Sequence, residues 1–258
     1  MKIHILGSCS GTEPAPGRHQ TAWILETQGR LYQFDAGENC AWTAHNMGLD
    51  LLALRVLCIS HPHFDHVGGI PHLFWTRQKI RRYYKRTAIA DPLPVLTPDP
   101  EQLDRLTRVL SDLRPDNVNL FAAQKVADGE IFSDGAIRIE ARHNRHLGIP
   151  EDGDWRSFSY RITAEGKCIV TSGDIKEVAE LDDWLKEGCD LLLMESGHHR
   201  PWEAAAHIRK TAGNNVRRLV FFHHGRDYLD RPEETAKLTG LAWGAPAAFA
   251  DDAATFEI

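Results

Sequence analysis

Paired cysteines are missing from this chain. The five present, Cys9, Cys40, Cys58, Cys168 and Cys189, are odd in number and never spaced as C-x-x-C. That argues against a disulfide framework and a cysteine-rich zinc site, and it fits reduced thiols in a cytoplasmic protein. The N-terminal residues 1–7 hold no long apolar segment, so no secretory leader is expected, and no apolar run approaches membrane-spanning length. A surplus of positive charge is lacking too. The 30 Lys and Arg against 36 Asp and Glu leave a formal net charge of −6, which gives no whole-chain attraction to nucleic acid or to an anionic membrane. No linker or low-complexity segment interrupts the 258 residues, so a single domain over 1–258 is expected, long enough to bury a sizeable core. What the chain has in excess is histidine: there are 14, most of them in a few short segments.

Apolar spacing predicts strands at 3–7, 21–26, 31–34, 54–60 and 94–97, with a hairpin turn at Gln28-Gly29. Helices are predicted over 67–86 and 101–113, the latter with Leu103, Leu106, Val109, Leu110 and Leu113 at helical spacing. The second half repeats the alternation, with strands at 137–141, 158–163, 168–171, 191–194 and 219–222 and helices over 178–186, 202–212 and 232–243. Two strand-rich halves with helices outside imply an α/β (α+β) chain folded as a four-layer αββα sandwich. The periodicity alone equally allows a doubly wound α/β fold.

The chemistry concentrates in His61-Pro62-His63-Phe64-Asp65-His66-Val67-Gly68-Gly69, directly after a buried-type strand. Residues two apart in extended chain point to the same side, so His61, His63 and Asp65 can converge. His66 joins them if the chain bends there, as the onset of a helix would make it do. Imidazole and carboxylate are the natural ligands of zinc and similar cations. Four such residues in six exceed what one open tetrahedral site takes and invite a split between two adjacent ions.

This H-x-H-x-D-H pattern resembles the signature of the metallo-β-lactamase superfamily, and further segments follow in the superfamily's order. Asp35 ends Phe34-Asp35-Ala36-Gly37, at the place of a residue that supports the metal loop from behind. One histidine is wanted after the strand at 137–141; the spacing favours His146, with His143 as the alternative. Asp174, after Thr171-Ser172-Gly173, resembles the metal-bridging carboxylate, and His223, with His224 as the alternative, the last ligand. The resemblance implies two divalent ions, zinc by default with manganese or iron as alternatives. One would be held by His61, His63 and His146, the other by Asp65, His66 and His223, with Asp174 between them. A divalent ion lowers the pKa of bound water to about 7, so hydroxide is available at neutral pH, and Asp65 is both a ligand and a candidate catalytic residue. His63 stands where the superfamily's diiron redox members carry glutamate, which favours hydrolysis.

Residues 6–14 with Arg18, and Glu195-Ser196-Gly197-His198 followed by Glu203-Ala204-Ala205, resemble the ribonuclease Z branch, as do Arg226 and Tyr228 after His223. In that branch a histidine here donates a proton; His198 fits the spacing and His199 is the alternative. The long glycine-rich arm with which ribonuclease Z grips tRNA has no counterpart here. In its stead the segment 77–86 is basic and aromatic, suited to phosphates or bases, or else a solvated helix face. These features together imply a phosphodiesterase for a small-molecule or nucleotide phosphodiester. Nucleic acid is the less favoured substrate, no membrane is involved, and a homodimer is left open. A ribonuclease Z-like tRNA endonuclease, a lactonase or β-lactamase-type hydrolase, and a non-catalytic ligand-binding regulator are the alternatives.

Overall fold

The structure, a computed structural model, describes residues 1–12, 14–113 and 120–258; Glu13 of the N-terminal loop and the side chain of Leu113 lie outside the described residues. The first half runs β1 (Lys2–Gly7), β2 (Ala22–Thr27), β3 (Arg30–Phe34), α1 (Cys40–Asn46), β4 (Leu54–Cys58), α2 (Phe64–Val67), α3 (Ile70–Tyr83), β5 (Leu93–Thr97), α4 (Pro100–Leu113) and β6 (Phe121–Lys125). The second runs β7 (Gly129–Ser133), β8 (Ile137–His143), β9 (Phe158–Ala164), β10 (Lys167–Thr171), α5 (Asp182–Glu187), β11 (Leu191–Ser196), α6 (Pro201–Ala212), β12 (Leu219–His224), α7 (Arg226–Asp230), α8 (Pro232–Trp243), β13 (Ala248–Phe249) and β14 (Thr255–Glu257).

Strand alternation decides the layering, because a strand apolar on both faces must be covered on both. In β4, Val56 and Cys58 face one buried cluster, while Leu54 and Leu57 face another. In β12, Val220 and Phe222 enter that same first cluster, and Leu219 and Phe221 a third. The shared cluster, with Trp23, Phe34, Phe158 and Tyr160, is the filling between two sheets. The second cluster packs α1, α3 and α4 on one outer face, and the third packs α5 and α6 on the other. The sheets run β14-β1-β2-β3-β4-β5-β6 and β13-β12-β11-β10-β9-β8-β7. This is the expected αββα sandwich and not a doubly wound sheet.

Each sheet joins an antiparallel part to a parallel part, β3-β4-β5-β6 in one and β10-β11-β12-β13 in the other. Parallel strands all end on one side, and the carboxyl ends of such strands are where α/β folds gather binding residues. Asp35 follows β3, His61 follows β4, Asp174 follows β10, and His223 lies at the end of β12.

Several boundaries differ from the sequence reading. The helix expected over 67–86 is two helices, α2 and α3, broken at Gly68-Gly69. Gly69 lies so close to another loop that a Cβ there would sit 2.1 Å from the Gly37 carbonyl oxygen. In α4 the stripe of Leu103 and Leu110 is buried, but Val109 is 49% exposed and Thr107 takes the inward place, its hydroxyl donating to the Leu103 carbonyl. Strands β6, β7, β13 and β14 carried no usable alternation; β6 and β7 are largely exposed edge strands.

Candidate metal centre

The β4 strand ends at Cys58, the chain bends at Ser60, and His63 is extended before α2 begins at Phe64. That helical turn swings His66 back beside the residues before it, as the bend argument requires. His66 Nδ1 lies 2.9 Å from Asp35 Oδ2, which leaves Nε2 facing the site. Asp35 also accepts from the Ser60 amide (2.7 Å) and hydroxyl (2.9 Å), so one carboxylate orients both the loop and a ring. It sits at φ 55, a conformation a non-glycine residue keeps only where its surroundings enforce it.

Asp174 is the hub. Its Oδ2 lies 3.6 Å from His61 Nε2 and 3.7 Å from His146 Nε2, while its Oδ1 lies 3.5 Å from His66 Nε2 and 3.3 Å from His223 Nε2. The two oxygens of one carboxylate thus face two different sets of imidazoles. His63 Nδ1 joins the first set at 3.3 Å from His146 Nε2, and Asp65 Oδ2 joins the second at 3.3 Å from His223 Nε2. Gly173 makes this turn possible: its φ is +55, and a Cβ would stand 2.7 Å from the Phe158 carbonyl oxygen.

Buried histidines and carboxylates normally find partners. Here His61 Nε2 and Asp174 Oδ1 are buried without a hydrogen bond among the described residues. Donor atoms of His61, His63, His146 and Asp174 lie within 4.8 Å of one another, and so do those of Asp65, His66 and His223. Nitrogen and oxygen donors in such clusters fit a divalent cation such as zinc. A third overlapping group, Asp174, His198 and His223, meets the same distance.

Burial opposes charge on His66, but Asp174 and Asp35 outweigh it and hold that ring well above its ordinary pKa, so without an ion the ring carries a positive charge; the remaining groups suit a cation. Burial and the neighbouring imidazoles hold His61 well below its ordinary pKa, and burial takes His146 down to about 4, so both rings are neutral ligands at pH 7. Burial opposes ionisation of Asp174, but His223, His66 and His61 outweigh it and hold the carboxyl well below the usual range. Asp65 is depressed in the same way by His223 and His66.

At the three places where sequence left two histidines, the structure separates them. His146 faces Asp174, whereas His143 pairs with Asp128 at 2.6 Å and stacks on Trp155. His223 faces the cluster, whereas His224 turns to the Ala250 carbonyl at 2.7 Å. His198 Nδ1 lies 3.6 Å from Asp174; both it and His199 Nε2 lie 3.4 Å from Glu195 Oε1, and His199 turns on to the Ile175 carbonyl. Glu195 is fully buried and accepts from the Gly197 and His198 amides. That hydrogen-bonded carboxylate is the main reason the His198 pKa is raised. Sequence reasoning missed Ser60, whose only signal was its place beside His61 at a strand end.

The segment 77–86 is largely engaged within the chain. Arg77 is buried, with one nitrogen on the Ala90 carbonyl; Arg81 pairs with Asp91, Arg86 with Asp50, and Lys79 lies over Trp75. Tyr83 and Tyr84 are exposed.

Among proteins of known sequence, the ribonuclease Z of Treponema pallidum (strain Nichols) is 33% identical over 98 residues, 38% of this chain and 29% of that protein. The ribonuclease Z of Agathobacter rectalis is 31% identical over 179 residues, 69% of this chain and 54% of that protein. The chain thus spans well under two thirds of either relative. Among solved structures, the metallo-β-lactamase fold protein YhfI from Bacillus subtilis superposes with a TM-score of 0.74 at 17% identity, covering 100% of this chain and 99% of that one. Human tRNase Z, short form, gives 0.72 at 18% identity, covering 100% and 99%. A diphosphatase from the PhnP family gives 0.67 at 17%, covering 100% and 97%. These likenesses establish the metallo-β-lactamase fold, and since residues 1–240 match the family described as anti-Pycsar protein Apyc1, this chain belongs to that family.

Proposed function

We propose that this chain is a metal-dependent hydrolase that cleaves a small or nucleotide-sized phosphodiester at a two-ion centre. The observation that carries the reading is Asp174, buried, with one oxygen toward His61 and His146 and the other toward His66 and His223. In this reading His61, His63 and His146 hold one ion and Asp65, His66 and His223 the other, with zinc the preferred metal. Two divalent ions supply Lewis acidity toward a phosphoryl oxygen and make ionised water available near pH 7. The ligands come from both sheets, which supports treating residues 1–258 as one catalytic domain. Five free cysteines support a reducing, cytoplasmic setting.

The chain's own groups do the rest. Asp65 stays ionised and, at the edge of its set, accepts a hydrogen bond from the incoming water. Asp174 offsets cationic charge at the centre. His198, 43% exposed and held through Nδ1 by Glu195, keeps Nε2 for the leaving oxygen and donates its proton there. A proton donor beside the ion cluster suits an alkoxide leaving group, and the solved diphosphatase and tRNase Z structures, which share the fold, favour a phosphodiester.

The test is metal-loaded protein against a panel of a bis-nitrophenyl phosphodiester, a mononucleotide diester, a homoserine lactone, a β-lactam and precursor tRNA. Turnover of the diesters above all others is expected. Lactone or β-lactam turnover without diester turnover overturns the reading. Site-selective tRNA cleavage moves the substrate to nucleic acid; the arginines of 77–86 that pair within the chain speak against that outcome.

A further inference from the structure

The C-terminal residues beyond the matched span of 1–240 hold the loop that leaves β1. After β13, at the edge of one sheet, the chain crosses to β14, at the edge of the other. At this crossing Asp252 accepts from both the amide (2.8 Å) and the hydroxyl (2.7 Å) of Ser8 through Oδ1, and from the His19 amide (2.5 Å) through Oδ2. The carboxylate therefore ties together the two ends of the loop that leaves β1. Arg18 closes the clasp: it donates to the Ser8 hydroxyl (2.7 Å), the Ala250 carbonyl (3.3 Å) and Asp251 (2.6 Å).

The loop so held reaches the second ligand set. The His224 amide donates to the Ser8 carbonyl (2.7 Å), and the His224 carbonyl accepts from the Ser10 amide (3.1 Å) and hydroxyl (2.9 Å). His224 is thus fixed on both sides of its backbone, and His223 before it sits at φ 52. A non-glycine residue keeps that conformation only where its neighbours over-determine it. One loop residue further on, a Cβ at Gly11 would lie 3.0 Å from the Asp65 carboxylate.

We infer that Asp252, with Arg18, is a positioning residue for the ion held by Asp65, His66 and His223: it orders the loop from Ser8 to Gly11, and that loop sets His223 and Asp65. Asp252 contacts neither ligand; its influence passes through Ser8 and His224. This rests on the two-ion reading above. Partners that orient ligands from behind typically change metal affinity by about 10–100-fold when removed. Asp252 acts one step further back, through Ser8 and His224, so the low end of that range is expected of it; it is 29 residues beyond His223 in sequence and lies outside the family match.

The experiment titrates zinc into chelator-stripped protein against a chromophoric competitor, with the melting temperature of each metal-free protein measured beside it. His223→Ala identifies the binding step that belongs to this set. Asp252→Ala should weaken that step by about 10-fold, the low end of the range for groups that touch a ligand directly, and leave the other within about threefold. Asp252→Asn, which keeps one acceptor for Ser8, should fall between. In the His223→Ala background Asp252→Ala should add nothing, because the two act through the same ligand. Both steps weakening together with a lowered melting temperature, or neither changing, overturns the inference. If Asp252→Ala does not fold, Ser8→Ala is read by the same criteria. Wild-type protein that takes up no zinc overturns the two-ion reading itself, and this inference with it.

Discussion

The two halves of the candidate centre are built differently. In the half formed by Asp65, His66 and His223, both imidazoles are buried, His66 is oriented by Asp35, and His223 is gripped through its backbone neighbour by Ser8 and Ser10. In the half formed by His61, His63 and His146, only His61 is buried, and His63 is exposed. His61 has the Ser60 hydroxyl at 3.1 Å, and His146 is steadied through its amide by Asn144, but His63 has a ring contact only within its own set. Supports behind a ligand fix its orientation before any ion arrives. The half of Asp65, His66 and His223 therefore offers a ready-made frame, and the half of His61, His63 and His146 the more open face. The more open half should exchange its ion faster in a chelator challenge.

The largest effect should come from removing what the halves share. Asp174→Ala should cut phosphodiester turnover by about 10⁴-fold or more, since several kcal/mol of charge stabilisation vanish at about 1.4 kcal/mol per tenfold. A mutant that retained both activity and metal content would break the hub assignment.

His198→Ala comes next. On diesters with alkoxide leaving groups the rate should drop by about 10²-fold or more, within the usual range for general acids, and on nitrophenyl diesters it should barely change. Metal content should stay constant. The Glu195 hydrogen bond, opposed by partial burial and aided by Asp174, raises the His198 pKa above the ordinary imidazole value. The donor form is then full below that raised value and lost as pH climbs through it. Wild-type turnover of alkoxide diesters should accordingly fall on the alkaline side, and the nitrophenyl substrate should not show that limb. A matching loss on both substrates, or lost metal, would make His198 a ligand in the group it forms with Asp174 and His223.

Smaller still, Asp35→Ala should weaken zinc binding in the His66 half by about 10–100-fold, and by less in the His61 half, which Asp35 reaches only through Ser60. His143→Ala marks the floor: it pairs with Asp128 and stacks on Trp155, so both ions should bind within about threefold of wild type.

Much of this was legible in sequence where the chemistry is local. His61, His63, Asp65 and His66 lie within six residues after a buried strand; period-two spacing predicts that His61, His63 and Asp65 converge, but Asp65 lies with His66 in the helical turn α2 and joins His223 instead. The sandwich was suggested by two strand-rich halves with helices outside, whereas strands apolar on both faces, such as the one holding Leu54, Val56 and Leu57, equally allow a doubly wound sheet. What stayed hidden depends on distant residues meeting. His146 and His143 are both followed by plausible loops, and only packing against Trp155 and Asp128 separates them. Asp252 and Ser8 are 244 residues apart, and nothing in either neighbourhood marks the pair. The exposed strands β6 and β7 lack the alternation that burial imposes, so they left no pattern to read.

The central claim is a pair of ions on either side of Asp174, and metal analysis of the purified wild-type protein combined with anomalous diffraction tests it most directly. The account predicts about two ions per chain, roughly 3.5–4 Å apart, one among His61, His63 and His146 and the other among Asp65, His66 and His223. A single ion seated among Asp174, His198 and His223, or none at all after loading with zinc, manganese or iron, would contradict it.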